Sequence, residues 1–498
     1  MVDRNGRITH VIVGDAHQLF IPDLMRHRAG SERFRGLRLV HTHLRGEGLS
    51  RDDLTDLSLL RLDAIVVIQA NNDGLPGAIE LGVLDPEAED NDRQPWQVEK
   101  IPRLHDWTTD FRTFISDLES QFSKRDAIHR MPGREGAIVI GVATSHASQA
   151  RASLNELAQL AETAGLQVLD NVLQMRRKFD GRLVLGKGKL QEVLIRAMQL
   201  DAEVLIFDRE LAPSQLRNIA TATDLKVVDR TQLILDIFAQ RAKSREGKLQ
   251  VELAQLRYRK PRLKIMPTAM SRLTGGIGGR GPGETKLEIN RRRSDERLAR
   301  LQKQLKQLSK QRALRRTRRK RVGLPQVAII GYTNAGKSTL LNTMTRSNVD
   351  AEDKLFATLD PTSRRLRFPE AREVILTDTV GFIRHLPKDL MHAFRATLEE
   401  AMEADLLLHV VDASSLEIQT HIEQVHMTLA SLQADQLPQL LVLNKIDAVD
   451  PAHWNEIKER HSGLLCSARS GEGLTSLMNT IEQRLFQEAN VSKTSQTQ

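Results

Sequence analysis

The chain has 498 residues, of which 40% are hydrophobic, and this length predicts about three or four domains with ordinary cores. Its single cysteine, Cys466, excludes an intramolecular disulfide and a cysteine-based zinc site. No apolar run approaches the length of a membrane span, and residues 1–15 lack a signal-peptide core, so we expect a cytoplasmic protein without a membrane partner. The net charge of +9 favours a polyanionic partner.

Residues 1–128 are predicted to form a small α/β extension, and their sequence does not indicate its role. Strand-like runs occur at 8–13, 37–41 and 64–69, while the Asp, Asn, Gly and Pro content of 71–102 predicts a loop. An amphipathic helix is predicted at 110–122, where apolar residues recur at helical spacing.

Two histidines stand close together near the end of a predicted strand of this extension. His41 and His43 are of a type that binds metal ions, but the sequence offers no apparent third ligand. Ordinary polar positions are therefore the favoured interpretation.

Residues 129–243 alternate predicted strands with predicted helices, which is typical of a parallel sheet with covering helices. The run Gly186-Lys187-Gly188-Lys189 could bind phosphate at a helix start, but a surface turn fits it at least as well. No P-loop occurs in this segment, and its absence argues against an ATP-driven enzyme there.

Residues 244–322 are predicted to form a hairpin of two antiparallel helices. Leucines at helical spacing stand on both sides of a glycine-rich joint at 275–283, which is either a flexible turn or a loop that approaches a partner closely. The two stripes consist of Leu249, Leu253, Leu256 and Leu263, then Leu298, Leu301, Leu305 and Leu308.

The second predicted helix of the hairpin, at about 285–320, carries dense positive charge and few acids. Because charges of one sign repel one another unless an anion neutralises them, we favour RNA binding over a merely solvated face. Tyr258 is the only aromatic residue of 244–322, so base stacking is not the expected mode.

Residues 323–488 contain a P-loop pattern between a predicted strand at 326–330 and a predicted helix start. Its glycines allow backbone N–H groups to surround phosphate oxygens, Lys337 would reach the β- and γ-phosphates, and Ser338 would hold Mg²⁺. The candidate nucleotide-binding residues are Gly331, Tyr332, Thr333, Asn334, Ala335, Gly336, Lys337, Ser338 and Thr339.

Three further motifs follow in the order that a guanine-nucleotide site requires. An Asp at a strand end can hold the Mg²⁺ shell, a Gly after it can donate N–H to the γ-phosphate, and a carboxylate of the next motif can accept from guanine N1–H and its amine. The candidates are Asp378, Thr379, Val380 and Gly381, then Asn444, Lys445 and Asp447, then Ser467, Ala468 and Arg469. We therefore predict a P-loop GTPase domain that binds GTP and GDP, followed by a disordered tail at 489–498.

With these motifs in place, the chain resembles the HflX family of ribosome-associated translational GTPases over residues 129–488. The most specific matching runs are 229–238, 246–256, 271–272, 275–285, 356–362 and 378–383.

The resemblance implies a multidomain α/β protein with an α/β N-terminal domain, a helical linker and a GTPase domain. It implies GTP hydrolysis, binding to the large ribosomal subunit and its rRNA, and dissociation of stalled or idle ribosomes. It places Phe356, Ala357 and Thr358 at the nucleotide, with Thr358 as the Mg²⁺ and γ-phosphate ligand, although Thr362 is a local competitor. The expected catalytic residues are then Lys337, Thr358 and Gly381, the metal ligands are Ser338, Thr358 and Asp378, and a monomer is expected.

The chain departs from the family pattern in three places. Residues 1–128 lie outside the resemblance, and we expect the C-terminal extension of some members to be missing. Asn290 stands where an Asp is expected. Within the matching run 378–383, Phe382 stands where many other GTPases have Gln, so another group must hold the attacking water. A GTP-regulated RNA-binding or ribosome-assembly factor with little intrinsic hydrolysis remains the alternative function.

Overall fold

The computed structural model describes residues 1–14, 34–44, 46–71, 73–86, 96–129, 133–263, 286–347, 355–356, 359, 361–368, 372–384 and 402–486. The chain divides into two compact units, Met1–Arg230 and Thr231–Gln498. Among the described residues, no helix combines the length and the hydropathy that crossing a membrane requires.

A mixed five-stranded sheet forms the first part of the first unit. The strands lie in chain order, β2 and β3 run parallel, and the other neighbours pair antiparallel. They are β1 Val2–Asp3, β2 Leu37–His43, β3 Ala64–Ala70, β4 Pro76–Leu84 and β5 Trp96–Ile101.

Two sequence predictions for this part of the chain are wrong. Residues 8–13 form no strand beyond an isolated bridge from Ile8 to Val2, and Ile8, Val11 and Val13 are exposed. The predicted loop at 71–102 contains β4 and β5, and all residues of β4 from Ile79 to Leu84 are buried. Turn-forming residues hid these strands in the sequence.

Helices α1 Arg51–Leu59 and α2 Phe111–His129 accompany this sheet. The predicted helix at 110–122 is confirmed, and it continues to His129. Phe111, Ile115 and Phe122 pack in one core with residues of β3 and β4, so burial of one face holds α2 on the sheet.

A parallel four-stranded sheet in the order β7-β6-β8-β9 forms the rest of the first unit, as the alternating pattern predicted. Its strands are β6 Gly136–Ala143, β7 Gln167–Met175, β8 Val204–Phe207 and β9 Lys226–Asp229, and its helices are α3 Ala147–Thr163, α4 Lys187–Gln199 and α5 Pro213–Ala222. Gly186 is the N-cap residue of α4, which places the glycine-lysine run at a helix start.

In the second unit, α6 Arg230–Arg241 is followed along the chain by two long helices, α7 Arg245–Leu263 and α8 Lys286–Val322. Ion pairs from Lys260 to Asp295 and from Glu246 to Arg312 (2.9 Å) join residues in opposite chain order, so the two helices are antiparallel and the predicted hairpin is confirmed. The glycine-rich joint at 275–283 lies outside the described residues.

A six-stranded sheet in the order β11-β12-β10-β13-β14-β15 completes the second unit; β11 is antiparallel to β12 and the others run parallel. The strands are β10 Gln326–Gly331, β11 Thr362–Arg367, β12 Glu373–Asp378, β13 Leu406–Asp412, β14 Gln439–Asn444 and β15 Leu464–Leu465. The helices are α9 Lys337–Thr345, α10 Ile418–Ser431, α11 Trp454–His461 and α12 Leu474–Phe486. The predicted motifs lie at the carboxyl edge of these parallel strands, where ligands bind in such sheets.

Candidate active site

The loop between β10 and α9 requires glycine at both of its ends. A Cβ atom on Gly331 would lie 2.1 Å from the carbonyl oxygen of Val410, and one on Gly336 would lie 2.3 Å from Asn444 Nδ2. Gly336 also has a φ of 88°, which favours glycine. The backbone can therefore curve tightly and direct its N–H groups to the N-terminus of α9, where anions bind.

Lys337 and Thr333 supply polar side-chain atoms to this loop. The Lys337 ammonium donates to the carbonyl oxygen of Tyr332 at 2.6 Å. Burial lowers the pKa of Lys337 from 10.5 to about 8, although the nearby negative charge of Asp378 acts to raise it. The hydroxyl of Thr333 is buried and has no hydrogen-bond partner in the part of the chain that the structure describes. A buried cation beside a buried hydroxyl suits the oxygens of a phosphate chain.

Ser338 and Asp378 come together at the end of β12. The Ser338 hydroxyl donates to Asp378 Oδ2 at 2.6 Å, and Asp378 is fully buried. The parallel pairing of Ile329 with Asp378 sets this approach. Hydroxyl and carboxylate oxygens are the ligands that Mg²⁺ prefers, so this pair fits the predicted metal.

The segment after Asp378 packs directly on the phosphate-binding loop. A Cβ atom on Gly381 would lie 2.8 Å from both Lys337 Nζ and Thr333 Cγ2, so the contact requires glycine. The hydroxyl of Thr379 donates to the carbonyl oxygen of Ile329 at 2.8 Å, which makes Thr379 part of the frame.

Phe382 is joined to the loop through its backbone. Its N–H donates to Gly331 O at 3.1 Å, and its carbonyl oxygen accepts from the Thr333 N–H at 2.8 Å. Phe382 as a whole residue is only 3% exposed, so its ring is buried. A buried ring that cannot form a conventional hydrogen bond does not orient a water molecule.

Asn444 connects two loops of the site through both ends of its amide. Its Nδ2 donates to the carbonyl oxygen of Ala335, and its Oδ1 accepts from the Ala468 N–H, each at 2.8 Å. Asn444 is thus a positioning residue, which its sequence motif did not reveal.

The exposed Asp447 carries the carboxylate that the sequence assigned to the base. Ser467 donates to Asp447 Oδ1 at 2.6 Å, so the 444–447 and 466–469 motifs meet at one point. Lys445 forms an ion pair with Asp412 at 2.8 Å, and Arg469 is exposed. Asp412 was missed by the sequence analysis; its only signal is its position at the end of an apolar strand.

The predicted switch segment is only partly described. Ala357 and Thr358 lie outside the described residues, and Thr362 begins β11 opposite Asp378. Phe356 is 2% exposed and packs edge-on against Phe238 of α6, with ring centroids 4.5 Å apart.

Three family models match the chain in succession. They are described as "GTP-binding GTPase N-terminal" over residues 151–239, "GTP-binding GTPase Middle Region" over 241–319 and "50S ribosome-binding GTPase" over 326–445.

Curated relatives match about two thirds of the chain or more. GTPase HflX of Caldanaerobacter subterraneus subsp. tengcongensis is 48% identical over 358 residues, which cover 72% of this chain and 82% of the relative. GTPase HflX of Escherichia coli K12 is 44% identical over 335 residues, which cover 67% and 79%. Among solved structures, a GTP-binding protein from Sulfolobus solfataricus in complex with GDP is 25% identical, with 71% of this chain and 99% of that chain covered and a TM-score of 0.39.

The fold and the site together define a P-loop GTPase, an enzyme that binds guanine nucleotide and hydrolyses GTP. The identity and coverage of the relatives place the chain in a particular group of these enzymes. It belongs to the HflX family of GTPases, and the family predicted from the sequence motifs is confirmed.

Proposed function

We propose that this GTPase binds the large ribosomal subunit and dissociates stalled or idle ribosomes, with GTP hydrolysis to GDP and phosphate accompanying each cycle. The observation that carries the proposal is that the basic helix α8 directly precedes, in the chain, the strand β10 that leads into the nucleotide site. That helix contains sixteen Lys and Arg residues against three acidic residues. The description of the family model over 326–445, a 50S ribosome-binding GTPase, supports the same partner.

Some basic side chains of α8 form ion pairs with α7, and others are exposed to solvent. Arg297 forms a bidentate ion pair with Glu252 at 2.7 and 2.8 Å, which holds the hairpin together. Arg300, Lys303 and Lys306 are exposed, so they are available to phosphate groups of rRNA. We expect these contacts to position the hairpin on RNA without reading base sequence.

In the proposed reaction, Lys337 stabilises the charge that develops on the β- and γ-phosphate oxygens, and the N–H of Gly381 contacts the γ-phosphate. Ser338 and Thr358 would hold Mg²⁺, and Asp378 would anchor its outer shell. The bound ion supplies positive charge that neutralises the phosphates. Asp447 would read guanine, while Asn444 keeps the loops in register.

The buried ring of Phe382 leaves the attacking water to be oriented by another group. We therefore propose that the ribosome completes the site and that the free, monomeric protein in the cytoplasm hydrolyses GTP slowly. This separates the proposal from the alternative of a GTP-regulated assembly factor, whose turnover would stay low on ribosomes.

Cosedimentation with separated ribosomal subunits, combined with light scattering of intact ribosomes, tests the function. We expect binding to the large subunit with a non-hydrolysable GTP analogue, weaker binding with GDP, and loss of scattering as ribosomes separate. Binding to the small subunit alone, or unchanged scattering at saturating protein, would contradict the proposal.

A further inference from the structure

Two histidines of β2 and one aspartate of α1 converge outside the GTPase machinery. His41 and His43 are two residues apart on a strand, so their side chains share one face. Their Nε2 atoms are 3.1 Å apart. Asp53 brings Oδ1 to 3.4 Å from His41 Nε2 and Oδ2 to 3.7 Å from His43 Nε2, and one ligand atom of each residue lies within 4.8 Å of the others. The third ligand that the sequence did not reveal is therefore present.

The backbone contacts of His43 leave one of its ligand atoms facing this centre. His43 Nδ1 lies 3.1 Å from the carbonyl oxygen of Gly48 and 3.2 Å from that of Glu47. A carbonyl oxygen only accepts, so Nδ1 carries the proton, and Nε2 of the neutral ring keeps its lone pair. Metal-binding histidines commonly donate their second N–H to a backbone carbonyl in this way.

Asp53 is held in place independently of the histidines. It is the third residue of α1, and its Oδ2 accepts from the N–H of Ser50 at 2.8 Å and from the hydroxyl of Ser50 at 2.6 Å. This capping box fixes the carboxylate before any ion binds.

We propose that His41, His43 and Asp53 form a binding site for a divalent transition-metal ion, with Zn²⁺ as the ion that the ligands fit best. Zinc binds His nitrogen and Asp oxygen at about 2.0–2.2 Å, so two of its ligands at tetrahedral angles lie about 3.3–3.6 Å apart. The observed 3.1, 3.4 and 3.7 Å are close to that spacing. The site lies outside the residues that the family models match, and an ion there would join β2 to α1.

A zinc titration of the untagged full-length protein tests the site. The protein is loaded with Mg²⁺ and GDP, so that the nucleotide site is occupied, then stripped with a zinc-selective chelator and titrated against a chromophoric one. We expect one equivalent of Zn²⁺ per chain. His43→Gln and Asp53→Asn should each weaken zinc binding by about 100-fold or more, because loss of even a supporting residue costs 10–100-fold. His105→Gln, at an exposed histidine of the same unit, is the matched control.

X-ray absorption at the zinc edge of the unmodified protein gives an answer that does not depend on the folding of a variant. Two imidazole nitrogens at about 2.0–2.1 Å support the site. Circular dichroism and GTP hydrolysis are measured for each variant. A variant that lost only a metal ligand keeps both signals of the parent, whereas a misfolded variant does not. Three results would overturn the proposal: less than one equivalent of bound zinc, equal zinc affinity in His43→Gln and His105→Gln, or an absorption spectrum without imidazole ligands. The short distance between the two rings would then reflect a proton that they share.

Discussion

At the scale of single residues, Lys337 makes nucleotide binding sensitive to pH. Burial lowers its pKa to about 8, whereas the neighbouring phosphates favour its protonated form in the complex. Above pH 8, binding must therefore take up a proton, so the affinity for GDP should fall by up to about tenfold per pH unit between pH 8 and 9. Isothermal calorimetry across pH 7 to 9 measures this.

The control for this prediction is Lys337→Met, which has no proton to take up. It should bind GDP more weakly than the parent but with a flatter pH profile, and it should lose most GTP hydrolysis, by roughly 100-fold or more. Equal slopes in both proteins, or normal turnover in the variant, would remove Lys337 from the phosphate site.

Asp447 is predicted to determine the choice of base. Asp447→Asn replaces an acceptor by a donor opposite the guanine amine, so the variant should bind xanthosine triphosphate better than GTP, whose affinity should fall by roughly 2 kcal/mol. Competition binding with the two nucleotides measures the reversal. Asp450→Asn, at an exposed helix cap three residues further on, should keep the preference of the parent. A variant at position 447 that still prefers GTP would show that another group reads the base.

At the scale of elements, the hairpin of α7 and α8 presents a surface for polyanions. Arg300→Glu combined with Lys303→Glu should weaken binding to the large subunit and reduce the slope of log affinity against log salt by about 2, because fewer counterions are released. Cosedimentation at several salt concentrations measures the slope. Lys458→Glu with Arg460→Glu, on α11, matches the change in charge and should leave the slope unaltered.

At the scale of the whole molecule, GTP hydrolysis should depend on the ribosome. The ring of Phe382 is buried and cannot orient water, so turnover of the free protein should be slow, and large subunits should raise it by roughly two orders of magnitude or more. Steady-state phosphate release with large subunits, small subunits or neither measures the dependence. Fast turnover without ribosomes, unaltered by added large subunits, would contradict it.

The glycine-rich joint at 275–283 should contribute to ribosome dissociation but not to nucleotide binding. Replacing it with a short serine linker should leave GTP binding intact and should reduce dissociation of intact ribosomes, because glycines permit a close approach of backbone to RNA. Light scattering of ribosomes measures the loss, and GDP affinity serves as the internal control. If the variant separates ribosomes as well as the parent, the hairpin is a spacer and the activity belongs to other parts of the chain.

The sequence by itself determined the nucleotide loop, the parallel strands that carry it, the hairpin and the family. These features rest on neighbours in the chain: a strand, a turn and a helix start lie within about a dozen residues around Lys337, and helical spacing reveals the hairpin. Where turn-forming residues masked the local pattern, as in β4, the prediction of a loop was wrong.

Only the tertiary structure decided which side chains meet across long stretches of chain. Asn444 joins Ala335 to Ala468, Lys445 pairs with Asp412, and Phe356 packs against Phe238. Asp53 completes the histidine pair in the same way, from a helix that follows the strand. Each contact depends on how sheets and helices stack, and sequence spacing carries no information on that geometry, because contacts between distant segments arise from packing of the whole core.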